Sequence, residues 1–141
     1  MLKDKTVLVC VTAQRSSMEL IKSGRAIADK SSARLEVVCV LPVEKKDNPI
    51  DPQVLEMIYE ASREQKGEMA VYFSDDPTYT VIAHIAKRKP LTIVVGFPGE
   101  RSNNFISMIH LLLPDTPISM VDKQGTVYNI LPQEKEIKFK V

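Results

Sequence analysis

The sequence predicts an α/β fold: a parallel sheet with helices on both faces. Three observations carry that prediction. Short, β-branched, almost wholly apolar runs recur along the 141 residues, apolar residues at helical spacing fill the stretches between them, and Pro or Gly punctuates most junctions. Strands that are apolar throughout are covered on both faces, and strands alternating with helices build right-handed crossover units. At 141 residues, against roughly 100 to 200 for a typical domain, a single domain is expected.

Thr6 to Val11 is the first such run and predicts strand one. Ser16, with Glu19 three residues on, predicts a capped helix whose Leu20, Ile21, Gly24, Ile27 and Ala28 share a face, ending near Ser31. Leu35 to Leu41 predicts strand two, closed by Pro42 and the charged loop Glu44 to Asp47. Asp51 before Pro52 is a cap with proline in the first turn. Val54, Leu55, Ile58, Tyr59 and Ser62 continue that helix until Gly67 offers a left-handed stop. Met69 to Phe73 predicts strand three, and Asp76-Pro77 caps a helix with Val81, Ile82, Ile85 and Ala86 on its apolar face, stopped by Pro90. Leu91 to Val95 predicts strand four. Gly96-Phe97-Pro98-Gly99 predicts a turn, Phe105 to Leu112 a short apolar helix ended by Pro114, and Pro117 to Val121 strand five. Beyond Asp122 the character changes. Gly125 marks a turn and Glu136 to Val141 alternates strictly, which predicts an appended strand or hairpin that covers an edge of its own sheet or pairs with a second subunit.

Composition excludes several classes of function. Nineteen Lys plus Arg against eighteen Asp plus Glu leave a formal charge of +1, so nothing global draws the chain to nucleic acid or an anionic membrane surface. The apolar runs fall far short of the ~20 residues that span a bilayer. The segment from Met1 to Lys5 enters only a short apolar run with no small-residue cleavage site, so no secretory signal is expected and the chain is placed in the cytoplasm. Cys10 and Cys39 sit inside apolar runs without metal-ligand spacing and read as buried small hydrophobes. The same applies to His84 and His110, which have no ligand partners at metal spacing and read as surface or partly buried histidines. Asp76 of the Asp75-Asp76 pair is already explained as a cap. Lys87-Arg88-Lys89 suits the negative end of a helix dipole, with no aromatic residue interleaved for stacking on bases.

Ligands of open parallel sheets collect at the carboxyl ends of the strands, where the winding direction reverses. The loops to inspect therefore follow strands one and four. The first supplies Thr12 and Ser16; the second supplies Gly96, Gly99, Arg101 and Ser102 at the start of a helix. Glycines let backbone N–H groups approach an anion, a helix start presents unpaired donors, and Arg101 adds charge. The same residues also suit a tight turn with a polar helix cap.

Val7-Leu8-Val9-Cys10-Val11 with a helix opening at Ser16-Ser17, Ile93-Val94-Val95-Gly96 with Gly99, and Thr116 to Val121 together resemble the universal stress protein (Usp) superfamily over residues 4 to 121. Val9-Cys10-Val11 and Leu112-Leu113-Pro114-Asp115 are similar to the Usp-like domain of Kdp-type potassium-sensing histidine kinases. The resemblance implies a Rossmann-like, five-stranded parallel sheet in the order 3-2-1-4-5, usually dimeric, acting in stress response or signalling. Residues 1 to 121 would form that domain and 122 to 141 its β extension. Nucleotide-binding members of the family carry an Asp after strand one, and a glycine, two residues, a glycine, nine residues, then glycine followed by Ser or Thr. Here the Asp position holds Thr12 or Ala13, only Gly96 and Gly99 match, and the later pair falls on Ile109-His110. Each directional hydrogen bond so removed is worth roughly 1 kcal/mol.

The expected function is that of a non-catalytic regulatory domain, a homodimer, with a degenerate site for ATP, AMP or a cyclic dinucleotide. Gly96, Gly99, Arg101 and Ser102 would meet the phosphate, and Thr12 and Ser16 would close the opposite wall; no metal is expected. The alternative is an interaction module that docks through strand five, Phe105 to Leu113 and the tail. A nucleotide hydrolase would rest on kinship with ATP-using folds alone, since neither loop carries a general base.

Overall fold

The computed structural model describes residues 5–12, 16–43, 51–96 and 104–130. Each apolar run is a strand and each helical stripe a helix, in the chain order β1 (Thr6–Val11), α1 (Ser17–Lys30), β2 (Arg34–Leu41), α2 (Pro52–Glu64), β3 (Glu68–Phe73), α3 (Pro77–Arg88), β4 (Thr92–Gly96), α4 (Asn104–Leu112), β5 (Ile118–Val121) and β6 (Val127–Ile130).

The sheet runs β3-β2-β1-β4-β5-β6. Its first five strands are parallel, and β6 joins β5 antiparallel, with Ile118 opposite Ile130 and Val121 opposite Val127. The α/β class and the strand order implied by the family resemblance are therefore those observed, with a sixth strand added.

Residues of alternate parity along the strands feed two separate cores, because successive side chains of a strand point to opposite faces. Val7, Val9, Leu35, Val37 and Val94 pack under Ile21 and Ala28 of α1 and Ile58 of α2. On the other face Leu8, Val38, Ile93 and Ile118 meet Ile82 and Ile85 of α3 and Ile109 of α4. Each such aliphatic side chain, fully removed from water, contributes about 1.5–3 kcal/mol. Two buried faces explain why β1, β2 and β4 read as continuous apolar runs rather than alternating ones.

The helix starts follow the predicted chemistry in two cases of three. Asp51 accepts a hydrogen bond from the Gln53 N–H at 2.9 Å, and Asp76 accepts one from the Tyr79 N–H at 3.1 Å. Each satisfies a donor that the first helical turn leaves orphaned. Ser16 does not cap. Its backbone is already helical, at φ −62° and ψ −17°, so its hydroxyl is not aimed at the first-turn N–H groups and makes no capping bond. The hydroxyl that ties the start of α1 down belongs to Ser17, which donates to the Thr12 carbonyl at 2.6 Å.

The stop of α2 is likewise displaced by one residue from the prediction. Lys66, at φ 57°, takes the left-handed position, and the Gly67 N–H closes back on the Ser62 carbonyl at 2.8 Å. Gly67 serves close approach instead: a Cβ there would meet the Leu35 side chain at 3.1 Å.

Within the C-terminal extension Gly125 makes the predicted turn, at a φ of 84° that glycine tolerates. Val127–Ile130 then covers β5. The outer hydrogen-bonding groups of strand five are thereby paired within the same chain, which is one of the two outcomes expected for the extension. The alternating stretch 136–141 lies outside the described residues.

Candidate functional site at the β1/β4 rim

The rim is built by the topology. The chain leaves β1 toward β2 on one side and leaves β4 toward β5 on the other, so the winding reverses between β1 and β4. Val9 lies opposite Val94, and continuing that register by two residues brings Val11 level with Gly96. Thr12, the residue after β1, and Gly96, the last of β4, therefore end at the same rim.

Ser16 completes the described part of the site. Thr12 and Ser16 are both exposed, and the Ser17-to-Thr12 hydrogen bond draws the first turn of α1 back against the end of β1. Because α1 starts there, its first-turn N–H groups and the positive end of its dipole face the rim. Gly96 is exposed, and a Cβ built on it would come no nearer than 3.9 Å to Leu20 Cδ2. Among the described residues the rim thus brings together the Thr12 hydroxyl, the backbone donors of the first turn of α1 and the space beside Gly96, a combination suited to a small anion rather than to proton transfer.

Thr12, Ser16 and Gly96 are brought together. Gly99, Arg101 and Ser102 lie outside the described residues, so the cation and second glycine expected of the anion cradle belong to the part of the loop that is not described. Ile109 occupies the place where the family pattern would have its later glycine, and it is fully buried among Ile85, Ile93 and Ile118. That position is core, not phosphate turn.

A second polar cluster lies under α3, on the face of the sheet opposite α1. Glu36 of β2 is buried between Leu35 and Val37, and its Oε1 bonds His84 Nε2 at 2.9 Å. His84 Nδ1 bonds the Tyr72 hydroxyl of β3 at 2.7 Å, and Arg88 Nη2 stands 3.4 Å from Glu36 Oε2. The structure thereby corrects the reading of His84 as a surface or partly buried residue. The signal was present in the sequence as a single carboxylate inside the run Leu35 to Leu41 and an imidazole on the same helical face as Val81 and Ile85. A polar cavity of about 70 Å³, lined by Thr6, Arg34, Glu36, Glu68 and Arg88, opens at the amino ends of β1 and β2, the opposite end of the sheet from the rim.

Cys39 is buried as expected, whereas Cys10 is only half-buried. Desolvation pushes the Cys10 thiol up to about 12, with the nearby Glu36 carboxylate adding to the shift, and desolvation pushes Cys39 up to about 11. Neither is a thiolate near neutral pH. Among the described residues no group of three or more His, Cys, Asp or Glu side chains is placed to hold a metal ion. No described helix is long and apolar enough to cross a membrane.

This arrangement, with its first five strands parallel and ordered 3-2-1-4-5, is similar in fold to solved universal stress proteins. A universal stress protein from Archaeoglobus fulgidus superposes with a TM-score of 0.61 at 13% identity, covering 82% of this chain and 92% of that one. The structure of the universal stress protein from Archaeoglobus fulgidus in complex with dAMP gives 0.58 at 15%, over 85% and 98%. A universal stress protein in complex with cAMP gives 0.53 at 17%, over 74% and 81%. No protein-family model matches the sequence. No curated protein matches it either.

Proposed function

We propose that this chain is a cytoplasmic, non-catalytic regulatory domain of the universal-stress-protein type that binds an adenine nucleotide at the β1/β4 rim. One observation carries the reading: Thr12, Ser16 and Gly96 share that rim with the first turn of α1. Phosphate oxygens would sit on backbone N–H groups near Gly96 and Gly99, with Arg101 and Ser102 completing the cradle and Thr12 and Ser16 forming the facing wall. The dAMP and cAMP complexes of proteins with this fold support a monophosphate. The likeness to the Usp-like domain of Kdp-type kinases extends the range to a cyclic dinucleotide. The missing Asp and the buried Ile109 argue for a smaller phosphate set than ATP requires.

Titration calorimetry with AMP, ATP and a cyclic dinucleotide tests this. Heat of binding with AMP or the cyclic dinucleotide, weakened about tenfold or more by Arg101→Ala, is the expected result. Absence of heat with all three at millimolar concentration overturns it. Mass spectrometry of any small molecule released on gentle denaturation identifies the ligand directly.

A second reading is favoured by α4. Met108, Leu111 and Leu112 lie on its outer side, and Leu111 is 72% exposed. An apolar strip of this kind suits a homodimer contact. Leu111→Glu would then shift the sedimentation coefficient toward the monomer; an unchanged value removes this reading.

A further inference from the structure

We infer that Tyr72 is a nucleophilic acceptor for activated acyl groups, with His84 as its general base and Glu36 as the residue that positions His84. The three side chains form a continuous chain from hydroxyl to imidazole to carboxylate. Tyr72 Oη is 2.7 Å from His84 Nδ1, and His84 Nε2 is 2.9 Å from Glu36 Oε1. A carboxylate only accepts, so Nε2 carries a proton, and in the neutral ring Nδ1 then presents its lone pair to the Tyr72 O–H. This is the arrangement of nucleophile, base and orienting group by which hydroxyls are activated.

Burial is graded along the chain in the direction such chemistry needs. The His84 side chain is 2% exposed, so water does not compete for its nitrogens, whereas Tyr72 is 36% exposed on the outer strand of the sheet. The Tyr72 and His84 rings meet edge to face, at 70° and 5.4 Å between centroids, which holds the hydroxyl on the imidazole. The surroundings select the class of donor. Tyr72 is level with Val40 across the β2–β3 ladder. Arg88 is taken up by Glu36 and Arg34 by Glu68. A neutral acyl group fits there better than a multiply charged phosphoryl group.

In the reaction Tyr72 Oη attacks the carbonyl carbon of an activated acyl donor. The new O–C bond forms as the bond to the leaving group breaks, and the hydroxyl proton passes to His84 Nδ1. The imidazolium faces the Glu36 carboxylate until the departing group takes that proton away. The products are O-acyl Tyr72 and the protonated leaving group, with no change of oxidation state.

The protein contains its own controls. Tyr59, Tyr79 and Tyr128 are all more exposed than Tyr72, Tyr79 at 65%. Tyr128 donates to the Asp122 carboxylate rather than to an imidazole. The full chain is treated with N-acetylimidazole at neutral pH, and acetylation of each tyrosine is followed by peptide mass spectrometry. Tyr72 is expected to acetylate about tenfold or more faster than Tyr79, since a positioned base accelerates such a step by ~10²–10⁴. His84→Gln should bring Tyr72 to the Tyr79 rate or below, and Glu36→Gln should slow it to an intermediate rate by leaving the imidazolium unbalanced. A native Tyr72 rate at or below that of Tyr79, or a folded His84→Gln protein with an unchanged ratio, overturns the assignment. If His84→Gln fails to fold, as circular dichroism would show, the ratio in the native protein decides alone.

Discussion

Gly24 of α1 rests directly on Val9 of β1: a Cβ added to the glycine would overlap Val9 Cγ2. The helix can approach the sheet only because that side chain is missing. Elsewhere in a helix, Gly→Ala gains about 1 kcal/mol in helix propensity. Here Gly24→Ala should destabilise by about 1–2 kcal/mol, because overpacking costs ~1–3 kcal/mol and outweighs that gain. The urea midpoint measures it. Val9→Ala in the same chain should recover part of the loss, since contacting sites are not additive.

The two desolvated thiols set a high-pH limit on stability. The folded chain holds the Cys10 proton to about 12 and the Cys39 proton to about 11, whereas an unfolded thiol loses it near 9. The native state therefore binds more protons than the unfolded state above pH ~9, and stability falls as pH rises through that window. Below it the contribution is fully present. The urea midpoint should decline from pH 9 to 11, less steeply in Cys10→Ala. At pH 7.5 a thiol reagent such as dithiobis-nitrobenzoate should titrate neither cysteine until the chain is unfolded.

Asp75 and Asp76 should separate cleanly. Asp76→Ala removes the cap of α3 and should cost about 1 kcal/mol, read as a lower melting temperature. Asp75→Ala should leave the melting temperature unchanged. Equal losses would mean that the two carboxylates act as a pair.

Gly96 offers a test that separates ligand binding from folding. Among the described residues a Cβ there meets only Leu20, at 3.9 Å, and its φ is not in the left-handed region. Gly96→Ala should therefore fold with unchanged or slightly raised stability. Adenine nucleotide affinity should fall, because the methyl group enters the space a phosphate would use. Unchanged affinity in calorimetry would move the binding site away from this rim.

The elements most legible in the sequence are those whose cause is local. Asp51-Pro52 and Asp76-Pro77 place helix starts because a short acidic side chain and a fixed proline φ act within one turn. Ser16 and Glu19 look equally convincing as a capping box, yet the chain enters the helix one residue early and Ser17 bonds Thr12 instead. Tertiary packing of α1 on β1 decides that. Gly67 misleads in a similar way: Lys66 carries the positive φ, and the glycine is needed because Leu35 lies against it. β6 is four residues whose identity as a strand comes from its partner β5, so no local pattern marks it. That Thr12 and Gly96 end at one rim, with Ser16 close by, is legible because strand order dictates which loops meet. The pairing of Glu36, His84 and Tyr72 is not legible, even though Glu36 and His84 each stand out in an apolar setting, since the three come from separate elements, with pairs 12 and 48 residues apart in sequence.

The hairpin that lays β6 on β5 has a consequence for quaternary architecture. Two copies of this chain cannot zip their sheets into one continuous surface along β5, because that seam is occupied from within each molecule. Any twofold assembly must be glued by side chains rather than stitched through the main chain at that strand, which leaves the choice of partner open to change by a few surface substitutions.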